Sequence, residues 1–530
     1  MATFQLPRVV IAGLSGSAGK TLVSVGLARA LRRQGLEVAV FKKGPDFIDP
    51  AWLGVAAGSD AHNLDTFLTS TTEIVRSLQN QSRANIAIIE GNRGLFDGFD
   101  AQGSHSTAEL AKHIQAPVIL VVDATKTTRT VAALVLGCLA LDPDLPLAGI
   151  VLNRIGTARQ ERLIREVLAQ TTKVPVLGAI PRLAVDYLPA RHLGLLLPAE
   201  RQDCEQALDA LGDVIAKHVD LMSLRHVADK APELHVPDPA GDTSGQACPS
   251  STPTITSAVE LPSKTRDVSL KARSGARSGR RSQVRVGILR DAAFCFYYSE
   301  NLTALKAEGA TLVPISPLDD RELPAIDALY AGGGYPEEFA QRLSANIRLR
   351  GALAARIYAG LPVWAECGGL MYLASAIERD GTSYPMVGAL PIVVEHTLQP
   401  QAHGYVEARV DRSNPYLPVG TCLRGHEFHH SRIVNQVAPI DTALLLERGV
   451  GVCNGRDGIV VGRVFSTYTH FFAPGTPGWA PALVRVAREV QGERASTTRT
   501  TPTTPTTPRS GRRDQEWSKD HSRRRTPWQA

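Results

Sequence analysis

Gly13-Leu14-Ser15-Gly16-Ser17-Ala18-Gly19-Lys20-Thr21 is a glycine-rich stretch between the apolar run 9–12 and a helical pattern with Val23, Leu27, Ala30 and Leu31 on one face. Strand, glycine-rich turn and helix N-terminus together aim backbone N–H groups and a positive dipole end at a phosphate. Gly13, Ser15, Gly16 and Gly19 would line that loop, Lys20 would hold the β/γ-phosphates of ATP, and Thr21 a Mg²⁺ ion. The spacing, G-x5-G-K-T, is one residue longer than the standard loop. A metal there needs acidic groups at the carboxyl ends of neighbouring strands. Glu90 follows the apolar run 86–89 directly, and Asp46 and Asp49 lie just past the run 38–41 in Lys43-Gly44-Pro45-Asp46-Phe47-Ile48-Asp49-Pro50. Either Asp also suits plain turn chemistry beside Gly and Pro.

A second constellation centres on Cys367 in Val363-Trp364-Ala365-Glu366-Cys367-Gly368-Gly369-Leu370. A cysteine between an apolar strand and a helix, with small residues behind it, fits a nucleophile elbow, and a helix N-terminus beneath it is expected to lower the thiol pKa. Ala365 stands where a strict elbow has Gly. Gly333 and Gly334, after the apolar run 328–331, together with Gly368 could supply the N–H groups of an oxyanion hole. His470, just past the strand-like run 462–468, is the candidate base. His426, His429 and His430 compete with it, but that H-x-x-H-H cluster lacks an evident helix and a third acidic ligand at a metal-site spacing.

These residues need elements to hold them. Runs 9–12, 38–41, 86–89, 118–122, 150–152 and 176–180 are continuously apolar and alternate with helical patterns, which predicts α/β architecture with parallel strands buried on both faces. A second such pattern opens at 284–289 and continues through 311–314, 328–331, a helical stretch 336–358 and 363–365. With 530 residues and 43% hydrophobic content, the chain is too long for one ordinary core and apolar enough for two. The expected organisation is an ATP-dependent domain over 1–228, a disordered basic linker over 229–282, a second catalytic domain over 283–491 and a disordered basic tail over 492–530.

The net charge of +6 invites a nucleic-acid reading, but residues 264–282 and 494–530 each carry +6, which leaves the remainder at −6. The folded parts are mildly acidic, so no nucleic-acid partner is expected. Seven scattered cysteines without a C-x-x-C pair argue against a disulfide framework and a zinc site. The longest apolar runs fall short of the ~20 residues of a membrane helix, and residues 1–8 carry no leader pattern, so a soluble cytoplasmic chain without membrane contact is expected.

On Lys43 to Pro50, Glu90 to Gly98, Arg191-His192-Leu193-Gly194-Leu195, Gly332 to Glu337, Glu366 to Tyr372 and Gly425-His426-Glu427-Phe428-His429, the chain resembles the cobyrinic acid a,c-diamide synthases. The similarity runs over about 8–227 and 284–490. It implies two doubly wound parallel-sheet domains: a P-loop NTPase-like one akin to dethiobiotin synthetase, which shares the longer loop, then a class I glutamine amidotransferase-like one. It further implies ATP-dependent amidation of the a and c carboxylates of cobyrinate or hydrogenobyrinate in cobalamin biosynthesis, with glutamine as nitrogen donor and Mg²⁺ as cofactor. Carried onto this chain, Cys367 is the glutaminase nucleophile, His470 its base, Thr21, Asp46 and Glu90 the metal ligands, and Asp49 and Asp97 the substrate or acyl-phosphate site. The family often shows S-Y-x-H-x-H near the base, whereas here Phe472 replaces the second histidine and leaves the third member of the Cys/His site unassigned. A homodimer stays open.

A carboxylate does not accept ammonia near neutral pH, because its leaving group is poor. It must first attack the ATP γ-phosphate to become an acyl phosphate, with Mg²⁺ and Lys20 offsetting the charge. Two other readings compete: a,c-diamidation of another tetrapyrrole such as nickel sirohydrochlorin, and a P-loop regulatory ATPase that binds nucleic acid through its basic tail.

Overall fold

Alternation decides the first lobe. In the strand Arg8–Gly13, Val9 and Ile11 enter one core while Val10 and Ala12 enter the other, so a strand with no polar side to offer water lies inside a sheet covered on both faces. In the computed structural model, which describes residues 3–191, 194–236 and 283–499, seven parallel strands form this sheet. Their order is Ala61–Leu64, Val38–Lys43, Ile86–Glu90, Arg8–Gly13, Val118–Asp123, Leu147–Ile155 and Val176–Pro181. Six match the predicted runs. Ala61–Leu64 escapes prediction because His62 and Asn63 interrupt its apolarity.

The first lobe extends beyond the expected boundary at 228. Leu234–His235 pairs antiparallel with Thr3–Phe4, and the fully buried Arg8 guanidinium donates to the carbonyl oxygens of Leu6, Ile114 and Pro232. Of the expected linker and tail, 237–282 and 500–530 lie outside the described residues, as does His192. The helix Trp479–Arg499 continues past the expected domain end at 491.

The second lobe opens in the same manner and finishes differently. Ala310–Ile315, Val284–Leu289, Ala328–Ala331, Val363–Glu366 and Val464–Thr467 are parallel neighbours. Five further strands then continue the sheet antiparallel, ending on Cys422–His429 and His470–Phe471. A second, four-stranded sheet packs beside it. The predicted helical stretch 336–358 is two helices, Ala340–Ala345 and Ile347–Tyr358, divided at Asn346, whose side chain accepts from Leu349 N–H and caps the second. Both lobes belong to one compact unit, Met1–Val490. No helix among the described residues is long and apolar enough to cross a membrane.

Candidate functional site

The strand Arg8–Gly13 delivers the glycine-rich loop, and the helix Lys20–Arg33 begins where the loop ends. Gly19 has φ +98°, and a Cβ there would lie 2.1 Å from the Asn153 amide nitrogen. Glycine is therefore required twice over, by backbone conformation and by space. Asn153 uses that closeness, donating from Nδ2 to the Ala18 carbonyl at 2.9 Å and so bracing the turn. Lys20 Nζ folds back along the loop to the carbonyl oxygens of Ser15 (2.9 Å) and Arg93 (2.6 Å). Burial, then the nearby Lys42, lowers its pKa to about 8.

Parallel register places Lys42 directly beside Glu90 at the carboxyl end of the sheet. Glu90 Oε1 accepts from Thr21 Oγ1 at 2.5 Å and from Lys42 Nζ at 3.0 Å; Lys42 also reaches Asp49 Oδ2 at 2.6 Å and lies 4.0 Å from Asp46. Thr21, Asp46, Asp49 and Glu90 thus lie around one ammonium, Lys42, that sequence reasoning missed. Burial pushes the Glu90 carboxyl up to about 7 against the pull of Lys42. Burial also opposes ionisation of Asp49, yet the Lys42 charge and hydrogen bond win and hold it below the ordinary carboxylate range. Asp46 serves the turn as well, accepting from the N–H groups of Ile48 and Asp49. Asp97 stands apart from this cluster, accepting from Gly94 N–H at 2.8 Å and lining the cavity described below.

The donor set suits a hard cation. Thr21, Asp46 and Glu90 offer oxygen only, and the second Glu90 oxygen is buried without a hydrogen-bond partner. Among the described residues, no group of three or more His, Cys, Asp or Glu could hold a metal alone.

In the second lobe Cys367 ends the strand Val363–Glu366 and starts the helix Gly368–Leu373 with φ +47° and ψ −100°, a strained elbow for a residue with a Cβ. Its N–H is anchored on the Thr467 carbonyl at 2.7 Å. A Cβ on Gly369 would lie 2.2 Å from the Ala331 carbonyl and one on Gly368 2.9 Å from Gly334 N, so these glycines let the elbow press onto the loop 332–334. The expected lowering of the thiol pKa is not found: burial, then the charge of Glu337, pushes it up, and the Gly368 N–H pulls only weakly the other way. Desolvation outweighs the short helix, so the thiol holds its proton until a base takes it.

Antiparallel pairing sets His470 opposite His426, their rings stacked 5.0 Å apart. His470 Nδ1 lies 3.5 Å from Glu366 Oε2, with both side chains buried. Glu366 is itself fixed by Trp364 Nε1 at 2.9 Å and Tyr330 Oη at 3.3 Å. Phe472 turns instead into an apolar cluster with Tyr298, Phe67 and Leu68. His429 stacks on Tyr468 and binds the Ser431 carbonyl through Nδ1 at 2.7 Å. His430, like His429, borders the cavity.

A cavity of about 810 Å³ is lined by residues of both lobes and reaches Asp46 at the edge of the first constellation. Asp46, Asn92, Arg93 and Asp97 line it from the first lobe and Cys367 and His470 from the second, with Lys43 and Arg448 adding positive charge and Phe99, Tyr405 and Phe428 flat apolar surface.

Comparison with known proteins agrees with this two-part layout. Residues 9–195 match the CobQ/CobB/MinD/ParA nucleotide binding domain, and residues 285–477 match the CobB/CobQ-like glutamine amidotransferase domain. The cobyrinate a,c-diamide synthase of Magnetococcus marinus is 39% identical over 92% of this chain and 98% of its own length. That of Syntrophotalea carbinolica is 40% identical over 91% and 99%, and that of Archaeoglobus fulgidus 38% over 88% and 94%. The chain belongs to the cobyrinate a,c-diamide synthase family and is a glutamine-hydrolysing, ATP-using carbon–nitrogen ligase.

Proposed function

We propose that this chain converts the a and c carboxylates of cobyrinate to amides in cobalamin biosynthesis, through acyl phosphates, with ammonia released from glutamine. The observation that carries this reading is the shared cavity, whose wall includes both Asp46 and Asp97 of the first lobe and Cys367 of the second. Lys43, Arg93 and Arg448 on its wall, set among aromatic rings, suit the carboxylates of a large ring.

On this reading His470 takes the Cys367 proton, and the thiolate attacks the glutamine amide carbon. The oxyanion is met by the N–H groups of Gly334 and Gly368, and the C–N bond breaks as ammonia leaves with the proton from His470. Water, deprotonated by His470, then cleaves the thioester and frees glutamate. In the first lobe a substrate carboxylate oxygen forms a bond to the γ-phosphorus as the bond to ADP breaks, and Lys20 follows the charge. Thr21, Asp46 and Glu90 would hold Mg²⁺, which when bound supplies charge compensation for the triphosphate. Asp49 and Asp97 border the place where the acyl phosphate forms. Ammonia attacks its carbonyl carbon and inorganic phosphate departs.

Glu366 is the positioning residue for His470, in the role that Phe472 cannot fill. Glu366→Gln should lower the glutaminase kcat by on the order of 10²-fold or more with little change in the KM for glutamine, because the amide no longer stabilises the imidazolium. Unchanged kcat would reject the assignment.

The reading is tested by mass analysis after incubation with ATP, Mg²⁺ and glutamine. Two acid-to-amide exchanges are expected on cobyrinate or on hydrogenobyrinate, and turnover confined to nickel sirohydrochlorin would reject the corrin assignment.

A further inference from the structure

Phe47 belongs to the first lobe by sequence and to the second by contact. It sits between Asp46 and Asp49, which both face Lys42. Its loop is braced: Asn63 Nδ2, buried, donates to the carbonyl oxygens of Gly44 and Asp46 at 2.8 Å each, and Asp46 accepts from the N–H groups of Ile48 and Asp49. The ring projects from this loop onto the thiol site. It lies 5.3 Å from the His470 ring and 5.6 Å from His426, packs at 4.5 Å against Tyr298, and stacks on Phe296 at 5.1 Å with the planes 11° apart. Phe296 in turn donates its N–H to the Gly333 carbonyl at 3.0 Å. That bond orients the Gly333–Gly334 peptide, whose N–H faces the elbow. One side chain therefore touches the base and the brace of the oxyanion loop, while its own backbone is tied to the groups around Lys42 and Thr21.

We infer that Phe47 is a positioning residue through which the nucleotide site sets the competence of the thiol site. A shift of Asp49 or Asp46 when ligands arrive at Thr21 and Lys42 is passed to Phe47, which lies between Asp46 and Asp49 on the hydrogen-bonded loop. The ring then changes its packing on His470 and Phe296, and base and oxyanion donor come to their working positions together. Misplacement of such groups by about 1 Å costs on the order of 10²-fold in rate, so a stacked ring is enough to gate hydrolysis. Glutamine would be spent only when an acid is ready to be activated. This inference rests on the reading of Cys367 and His470 as a glutaminase.

The test uses the full chain and its Phe47→Ala and Phe47→Tyr variants. Two ratios are measured: glutamate release with and without Mg-ATP plus the tetrapyrrole acid, and amide formed from glutamine against amide formed from ammonium chloride. For Phe47→Ala the first ratio should fall to near one and the second should drop roughly tenfold or more, while Phe47→Tyr, which keeps the ring, should retain most of both. An unchanged stimulation ratio in Phe47→Ala overturns the inference. So does equal loss with both nitrogen sources, the mark of a residue that serves only the fold. A wild-type chain that releases no glutamate overturns the glutaminase reading itself.

Discussion

Cys367→Ser is expected to abolish amidation with glutamine and to leave amidation with ammonium salts standing. The glutamine-dependent rate should fall by on the order of 10³-fold or more, as when the nucleophile of a covalent catalyst is removed. The effect is large because the thiol already works against its surroundings: burial keeps it protonated, and a hydroxyl in the same place gives up its proton far less readily. The elbow survives, since Ser is smaller than Cys and the strain resides in the backbone at φ +47° and in the contacts of Gly368 and Gly369. Ammonia from solution needs only the acid-activating half of the cavity. Comparing glutamine with ammonium chloride as donor checks this, and equal loss with both would contradict the division of labour between lobes.

The fold was legible where physics left one option. Apolar runs such as 86–89 and 118–122 have no side for water, so they had to be interior parallel strands, and the glycine-rich loop could only sit at their carboxyl ends. The antiparallel half of the second sheet was less legible, because strands such as Ala402–Val410 mix buried with exposed positions and share that pattern with loops. Ala61–Leu64 was hidden by residues recruited for other work: Asn63 braces the loop at Gly44, and His62 meets Glu300 across the lobes at 3.2 Å.

Within the site, the residues that would touch ligands announced themselves by type and spacing, while those that position them did not. Glu366 precedes the nucleophile, yet its connection to His470 is made only when the strands Val363–Glu366 and Val464–Thr467 lie side by side. Phe47 looks like one more turn aromatic until the second lobe closes over it. The thiol pKa was misjudged for the same reason. The helix start is a local feature that sequence shows, whereas desolvation and the charge of Glu337 come from chain far away.

Lys42 is the clearest case of a group that only the fold reveals, and its removal should have the second large effect. In Lys42→Met, amidation should be lost with glutamine and with ammonium alike, since the variant strikes the acid-activating lobe rather than the thiol. The fold should weaken too. Glu90 is fully buried and Asp49 half-buried, and both lean on the Lys42 ammonium. Leaving buried charge uncompensated costs about 3–5 kcal/mol. The pH dependence identifies the cause. Burial already lifts Glu90 to about 7 with Lys42 in place, and it opposes the depressed value of Asp49, which Lys42 sustains. Without the ammonium Glu90 rises further and Asp49 loses the charge that holds it down and rises too. The folded state then binds more protons than the unfolded chain between about pH 4, where free carboxyls titrate, and the raised folded values, so stability falls as pH climbs through that window. Denaturant unfolding of the variant and the parent at pH 5 and pH 8 should show the smaller deficit at pH 5. A deficit independent of pH would place the role of Lys42 in packing, and amidation surviving in the variant would remove it from the chemistry.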